Sequence, residues 1–141
     1  MLEKALILAT KAHSGQKDKG GQPYILHPIR VMLACESEAE RVTALLHDTL
    51  EDTALTAADL EGFPEKIVAA VLCLTRRAGE DYMAYIARIC ENPLAARVKY
   101  ADLQDNMDIS RIPYPTERDF SRIRKYEQAI KQVAASRAEW E

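Results

Sequence analysis

The chain has 141 residues, 48% of them apolar and 29% charged, with a formal net charge of −3. That length and apolar share fit one domain around one core, and the small negative charge excludes the broad positive field that gathers a nucleic-acid polymer. No stretch approaches the roughly 18 uninterrupted apolar residues of a membrane span, and Glu3, Lys4 and Lys11 interrupt the short apolar run that a secretory signal would need.

Leu2, Ala5, Leu6, Ala9 and Ala12 recur at helical spacing, which predicts a first helix over about residues 2–14. The polar stretch SGQKDKGGQPY that follows contains Gly15, Gly20, Gly21 and Pro23 and reads as an exposed loop. A second helix starts near His27-Pro28, since proline is tolerated in a first turn. Ser37 with Glu40 has the form of a capping box and opens a third helix over about 38–50, with Val42, Leu45, Leu46 and Leu50 on its apolar side. Thr56 with Asp59 repeats the pattern. Pro64 stands in the first turn of a helix over about 64–75; another covers about 80–91, and Pro93 opens one over about 93–109. The segment Ile112-Pro113-Tyr114-Pro115-Thr116 is a rigid break, and a charged amphipathic helix of about 116–138 follows. With no strand-like alternation, repeat or linker, the expectation is an all-α bundle of seven or eight helices forming one domain over residues 1–141. Cys35, Cys73 and Cys90 are odd in number and form no CxxC pair, so they are read as core residues in a reducing cytoplasm.

The chemistry is concentrated in Leu45-Leu46-His47-Asp48-Thr49-Leu50-Glu51-Asp52. On a continuous helix His47 stands above Glu51 and Asp48 above Asp52. The neighbours His47 and Asp48 then diverge by about 100°, and they meet at one cation only if other helices supply further ligands. His27, at a helix start beside the polar loop, and Asp102, in an otherwise apolar helix, are the candidates. Imidazoles with carboxylates suit Mn, Fe, Co, Ni or Zn and leave positions open for water and a phosphate oxygen. Lys17, Lys19, Arg76 and Arg77 are the cations available to further phosphates. His13 reads as a cap or loop contact, and Tyr24 as a pocket wall.

These residues resemble a known family. His13-Ser14-Gly15-Gln16, then Lys19 and Gly21-Gln22-Pro23-Tyr24-Ile25-Leu26-His27-Pro28, Ala44 through Thr53, Leu74-Thr75-Arg76, and Lys99-Tyr100-Ala101-Asp102 with Asn106-Met107 follow the order and spacing of the hydrolase domain of the RelA/SpoT alarmone enzymes and their single-domain relatives, within the HD superfamily. The resemblance spans about residues 4–110. It implies an HD-domain bundle in which His27, His47, Asp48 and Asp102 hold Mn2+, Glu51 and Asp52 handle the attacking water, and Lys19 and Asn106 face the nucleotide; Tyr24, as pocket wall, and Arg76, as a cation for phosphate, are the further substrate-binding candidates. The implied reaction removes pyrophosphate from the 3′ position of (p)ppGpp, a small-molecule nucleotide.

The pattern departs at positions that read the base. Asp18 stands where the family carries arginine, and Leu103, Asp108 and Ile109 replace an arginine, a second basic residue and a hydroxyl. Three readings therefore stay open at the level of sequence: a (p)ppGpp 3′-pyrophosphohydrolase, an HD nucleotidase or phosphodiesterase of another substrate, and a catalytically silent nucleotide sensor.

Overall fold

The computed structural model describes residues 1–140. The helical periodicity is realised as eight α-helical segments: α1 (Leu2–Ala12), α2 (Leu26–Leu33), α3 (Glu38–Leu46), α4 (Thr49–Asp52, a single turn), α5 (Glu65–Cys73), α6 (Tyr82–Cys90), α7 (Pro93–Asn106) and α8 (Glu117–Ala135). Short 3₁₀ turns lie at Ala57–Leu60, Ile109–Arg111 and Arg137–Glu139. No strand forms among the described residues; one antiparallel bridge, Lys17 to Pro23, closes the polar loop. No described helix is long and apolar enough to cross a membrane.

Helix starts are set by short polar side chains that occupy otherwise orphaned amides. Ser37 Oγ accepts the Glu40 N–H at 3.1 Å and its hydroxyl donates to the Glu40 carboxylate at 2.8 Å. Asp81 caps α6 and Asn92 caps α7 in the same way, each accepting an amide at 3.1 Å. Thr116 and Asp119 pair across the first turn of α8.

The third helix differs from expectation. A run over about 38–50 is instead two segments, α3 and α4, with His47 and Asp48 in the break. Side chains explain it. His47 Nδ1 stands 2.5 Å from the Ala44 carbonyl and Thr49 Oγ1 donates to the Leu46 carbonyl at 2.7 Å. Side chains thus take acceptors that backbone amides would otherwise use.

One apolar cluster joins α1, α3 and α5 through Ala5, Leu45, Leu46, Ile67 and Val71; another joins α6, α7 and α8 through Ile86, Ile89, Val98, Leu103 and Val133. Each fully buried aliphatic side chain contributes about 1.5–3 kcal/mol. The helix α7 packs against α2, α3, α5, α6 and α8, and its alanines Ala95, Ala96 and Ala101 are buried. Two charged residues, Lys99 and Asp102, are buried on it as well, and they pair at 2.9 Å. A central helix bearing polar groups inside the core is what sets up the site, since buried charge persists only when it is answered.

Candidate metal centre

His27 enters from the first turn of α2, His47 and Asp48 from the break after α3, and Asp102 from the middle of α7. The break changes the geometry read from a continuous helix: instead of diverging, His47 Nε2 and Asp48 Oδ2 stand 3.0 Å apart. His27 Nε2 lies 2.9 Å from Asp102 Oδ1 and 3.7 Å from Asp48 Oδ2, and His47 Nε2 lies 3.4 Å from Asp102 Oδ1. The donor atoms of His27, His47 and Asp102, all buried, fall within 4.8 Å of one another, so this trio can hold a metal ion.

The tautomers suit that role. His47 Nδ1 faces the Ala44 carbonyl, an acceptor only, so the proton sits there and Nε2 presents its lone pair to the centre. That Nε2 is buried with no hydrogen-bond partner, although carboxylate oxygens surround it. A lone pair facing carboxylates is satisfied by a cation between them. Where no metal stands there, protons take its place: burial opposes ionisation of His27, yet hydrogen bonds to Asp102 and Asp105 raise it to about 8. Burial would likewise push the Asp102 carboxyl up, but the Lys99 ammonium and both imidazoles hold it well below the usual carboxylate range.

Neighbours orient the donors. Tyr24 donates its hydroxyl to Asp48 Oδ2 at 2.5 Å; burial and that carboxylate push the phenol up. Asn106 Nδ2 donates to Asp102 Oδ1 at 3.0 Å and Lys99 Nζ to Oδ2 at 2.9 Å. His27 Nδ1 stands 2.6 Å from Asp105 Oδ2, and Asp105 is itself clamped by Arg30, at 2.8 and 3.1 Å, and by Arg111 at 3.2 Å. Sequence reasoning missed Asp105, Arg30 and Arg111. The i, i+3 row Lys99, Asp102, Asp105 along α7 was the available signal.

A cavity of about 400 Å³ opens beside the donors. Lys19 and Tyr24 of the polar loop, Glu51, Arg76 and Asn106 reach its wall, and α8, expected from its sequence to be only a solvated face, adds Arg122, Lys125 and Tyr126. Asp52 and Arg77 are not on that wall. Glu51 Oε1 accepts the Arg76 backbone N–H at 2.7 Å, while the Asp52 carbonyl accepts from Gln16 at 2.8 Å. Burial, Asp48 and Glu51 raise the Asp52 carboxyl. His13 is buried, with Nδ1 2.8 Å from Gln16 Oε1, so it braces the loop that carries Lys19.

No protein-family model matches the chain. It is 33% identical over 119 residues to guanosine-3′,5′-bis(diphosphate) 3′-pyrophosphohydrolase of Aquifex aeolicus, covering 75% of this chain and 17% of that protein. It is 40% identical over 75 residues to the bifunctional (p)ppGpp synthase/hydrolase SpoT of Escherichia coli, covering 50% of this chain and 11% of SpoT. Among solved structures, a metazoan orthologue of SpoT that hydrolyses ppGpp superposes with a TM-score of 0.75 at 26% identity, covering 96% of this chain and 84% of that one. The chain is a RelA/SpoT-type HD domain. It spans about a sixth of the Aquifex relative's length and less of SpoT's.

Within this HD domain the four departures from the family pattern have structural uses. Asp18 Oδ1 accepts the Gly20 and Gln22 amides, each at 2.9 Å, so its charge is turned into its own loop. Leu103 is fully buried. Asp108 caps the following 3₁₀ turn through Ser110 and pairs with Arg111 at 2.9 Å. Ile109 opens that turn, half-buried.

Proposed function

We propose that this domain is a metal-dependent phosphohydrolase that removes pyrophosphate from the 3′ position of a guanosine 3′,5′-bis(diphosphate)-type nucleotide. His27, His47, Asp48 and Asp102 hold a divalent ion, Mn2+ by analogy with the family. The observation that carries the reading is the partnerless, buried His47 Nε2 aimed at two carboxylates from different segments. When bound, the ion lowers the pKa of water and offsets phosphate charge.

The chain's own groups do the rest. Asp48 is steadied by the Tyr24 hydroxyl and Asp102 by Asn106 and Lys99, so the donors are pre-placed. Glu51, on the cavity wall and anchored through one oxygen by the Arg76 amide, accepts the proton of the attacking water. Asp52 stands behind it with a raised carboxyl, suited to carry that proton onward. The new bond joins water oxygen to the 3′-linked phosphorus, the bond from that phosphorus to the 3′ oxygen breaks, the 3′ oxygen departs as a hydroxyl with the relayed proton, and pyrophosphate carrying the water oxygen is released. Lys19 and Arg76 face the phosphates.

A second substrate reading has an observation in its favour. With Asp18 folded into its own loop, the wall offers no arginine at that position to stack on guanine, so another 3′-phosphorylated nucleotide fits as well. The test is pyrophosphate and phosphate release by Mn2+-loaded protein from guanosine 3′,5′-bis(diphosphate), its adenosine counterpart and nucleoside monophosphates, with metal content measured on the same sample. Turnover of the guanosine compound alone supports the first reading. Turnover of both supports a base-tolerant enzyme, and none with intact metal removes the hydrolase assignment.

A further inference from the structure

Three successive carbonyls at the C-terminal end of α5 are taken by side chains of α6. The Arg88 guanidinium donates from Nη1 to the Cys73 carbonyl at 3.0 Å and from Nη2 to the Thr75 carbonyl at 3.3 Å, and the Tyr85 hydroxyl donates to the Leu74 carbonyl between them at 2.6 Å. Such carbonyls lose their partners where a helix stops, and a cation there also answers the negative end of the helix. The same guanidinium holds the next turn. Nε and Nη2 pair with the two Glu80 carboxylate oxygens at 3.0 and 2.9 Å, and Glu80 Oε1 accepts the Arg77 amide at 3.1 Å. Arg88 thus grips the chain on both sides of Arg76. It is half-buried and is not on the cavity wall.

One peptide group carries this grip to the site. The Thr75 carbonyl and the Arg76 N–H belong to a single planar trans unit, in which they point in opposite directions. The carbonyl accepts from Arg88 at 3.3 Å, and the N–H donates to Glu51 Oε1 at 2.7 Å. The plane turns as a unit, so fixing the carbonyl at one end fixes the direction of the N–H at the other. A donor on the carbonyl also polarises the amide and strengthens its N–H toward the carboxylate. Glu51 itself sits in the single turn α4, and a helical segment that short has little stability of its own. Its carboxylate is therefore directed by the group that holds it.

We propose that Arg88 is a positioning residue for the hydrolytic step: acting through the Thr75–Arg76 peptide, it holds the Arg76 amide toward Glu51, so that one carboxylate oxygen is tethered and the other is left to meet the attacking water. The catalytic consequence rests on Glu51 as the base of the hydrolase reading; the placement of the Arg76 amide does not. Lysine is no substitute for this arginine, since one ammonium cannot span two carbonyls and a carboxylate as the planar fork does.

Two measurements test it. In the first, the Arg76 backbone amide signal is followed by NMR in metal-free, 15N-labelled protein. Glu51→Ala removes the acceptor and gives the position of the untethered amide. Arg88→Gln should move the signal most of the way there, and Arg88→Lys part of the way; a signal unmoved in both overturns the proposal. Arg88→Lys keeps a positive charge at the end of α5, so it carries both measurements if Arg88→Gln fails to fold. In the second, kcat and KM of Mn2+-loaded protein are measured with guanosine 3′,5′-bis(diphosphate) for the Arg88 variant, Glu51→Gln and the double variant. The Arg88 variant alone should lower kcat about 10–100-fold with KM changed less than about twofold. In the Glu51→Gln background, where the base is already gone, it should lower kcat by less than about twofold. An equal loss in both backgrounds overturns the proposal, because a general structural defect acts whether or not the base is present. If Glu51→Gln turns over at the wild-type rate, or the wild type does not turn over, while the Arg76 signal moves as expected, the reading of Glu51 as base fails and the placement of the amide by Arg88 stands.

Discussion

His27 and Asp105 are 78 positions apart in sequence, yet the imidazole Nδ1 stands 2.6 Å from the Asp105 carboxylate. Burial opposes ionisation of Asp105, but hydrogen bonds from His27 and Arg30 bring its carboxyl down to about 2, so it is an acceptor at neutral pH. The proton of His27 is thereby fixed on Nδ1, and Nε2 is turned toward Asp102 and Asp48. Asp105→Ala frees the ring and should weaken divalent-metal affinity about 10–100-fold. Asp105→Asn retains an acceptor oxygen and should lose less. Competition against a metallochromic chelator measures both, and equal affinities in wild type and Asp105→Ala would remove Asp105 from the centre.

Asp48→Ala takes away an oxygen that faces both imidazoles and leaves the Tyr24 hydroxyl without its acceptor. Metal binding and turnover should both be lost. Metal analysis after gel filtration, alongside the release assay, reads the two outcomes separately.

Glu51→Gln is a different experiment, because the amide oxygen still accepts the Arg76 N–H while the base is gone. Metal content should stay near the wild-type level and kcat should fall about 10²–10⁴-fold. A normal rate takes Glu51 out of the proton transfer.

Gly20 is where the polar loop touches the segment after α7. A Cβ there would lie 2.4 Å from the Arg111 carbonyl oxygen, and backbone cannot step aside as a flexible side chain can. Gly20→Ala should therefore push Lys19 and Tyr24 from the cavity and raise KM, with a smaller effect on the melting temperature. Michaelis–Menten analysis and thermal melts of the same preparation decide it.

Glu80 and Arg88 make two parallel contacts, at 2.9 and 3.0 Å, across the turn before α6. The Arg88 guanidinium lowers the Glu80 carboxyl from 4.5 to about 2. A carboxyl depressed on folding contributes stability above its unfolded value and loses it as pH falls. Glu80→Gln should thus melt lower than wild type at pH 7, with the gap closing between pH 4.5 and 2. Melting curves across that range test the sign.

Leu46 is fully buried in the core, at the last position of α3 before the break that places His47. Leu46→Ala should destabilise the fold by about 2–5 kcal/mol. Denaturant titration reads that loss, and a value under 1 kcal/mol would mean the α3 anchor is not rigid.

The amino-acid order alone determined the helical class, the approximate position of every long helix, and the residue types that meet at the centre. Those follow from local physics: apolar spacing near 3.6, short polar caps at Ser37 and Thr116, and breakers such as Pro93 and Pro115. His27, His47, Asp48 and Asp102 were legible because imidazole and carboxylate are scarce inside apolar helices. Tertiary structure decided how they meet. A continuous helix would part His47 from Asp48, and the side-chain contacts of His47 and Thr49 interrupt it. It also decided which charges are spent and which are free: Asp18 serves its own loop, Asp105 serves His27, and Arg76 and Lys125 converge on Tyr82. The Asp18 contacts are local, but the His27–Asp105 pairing spans 78 positions, and no local spacing rule reaches so far along the chain.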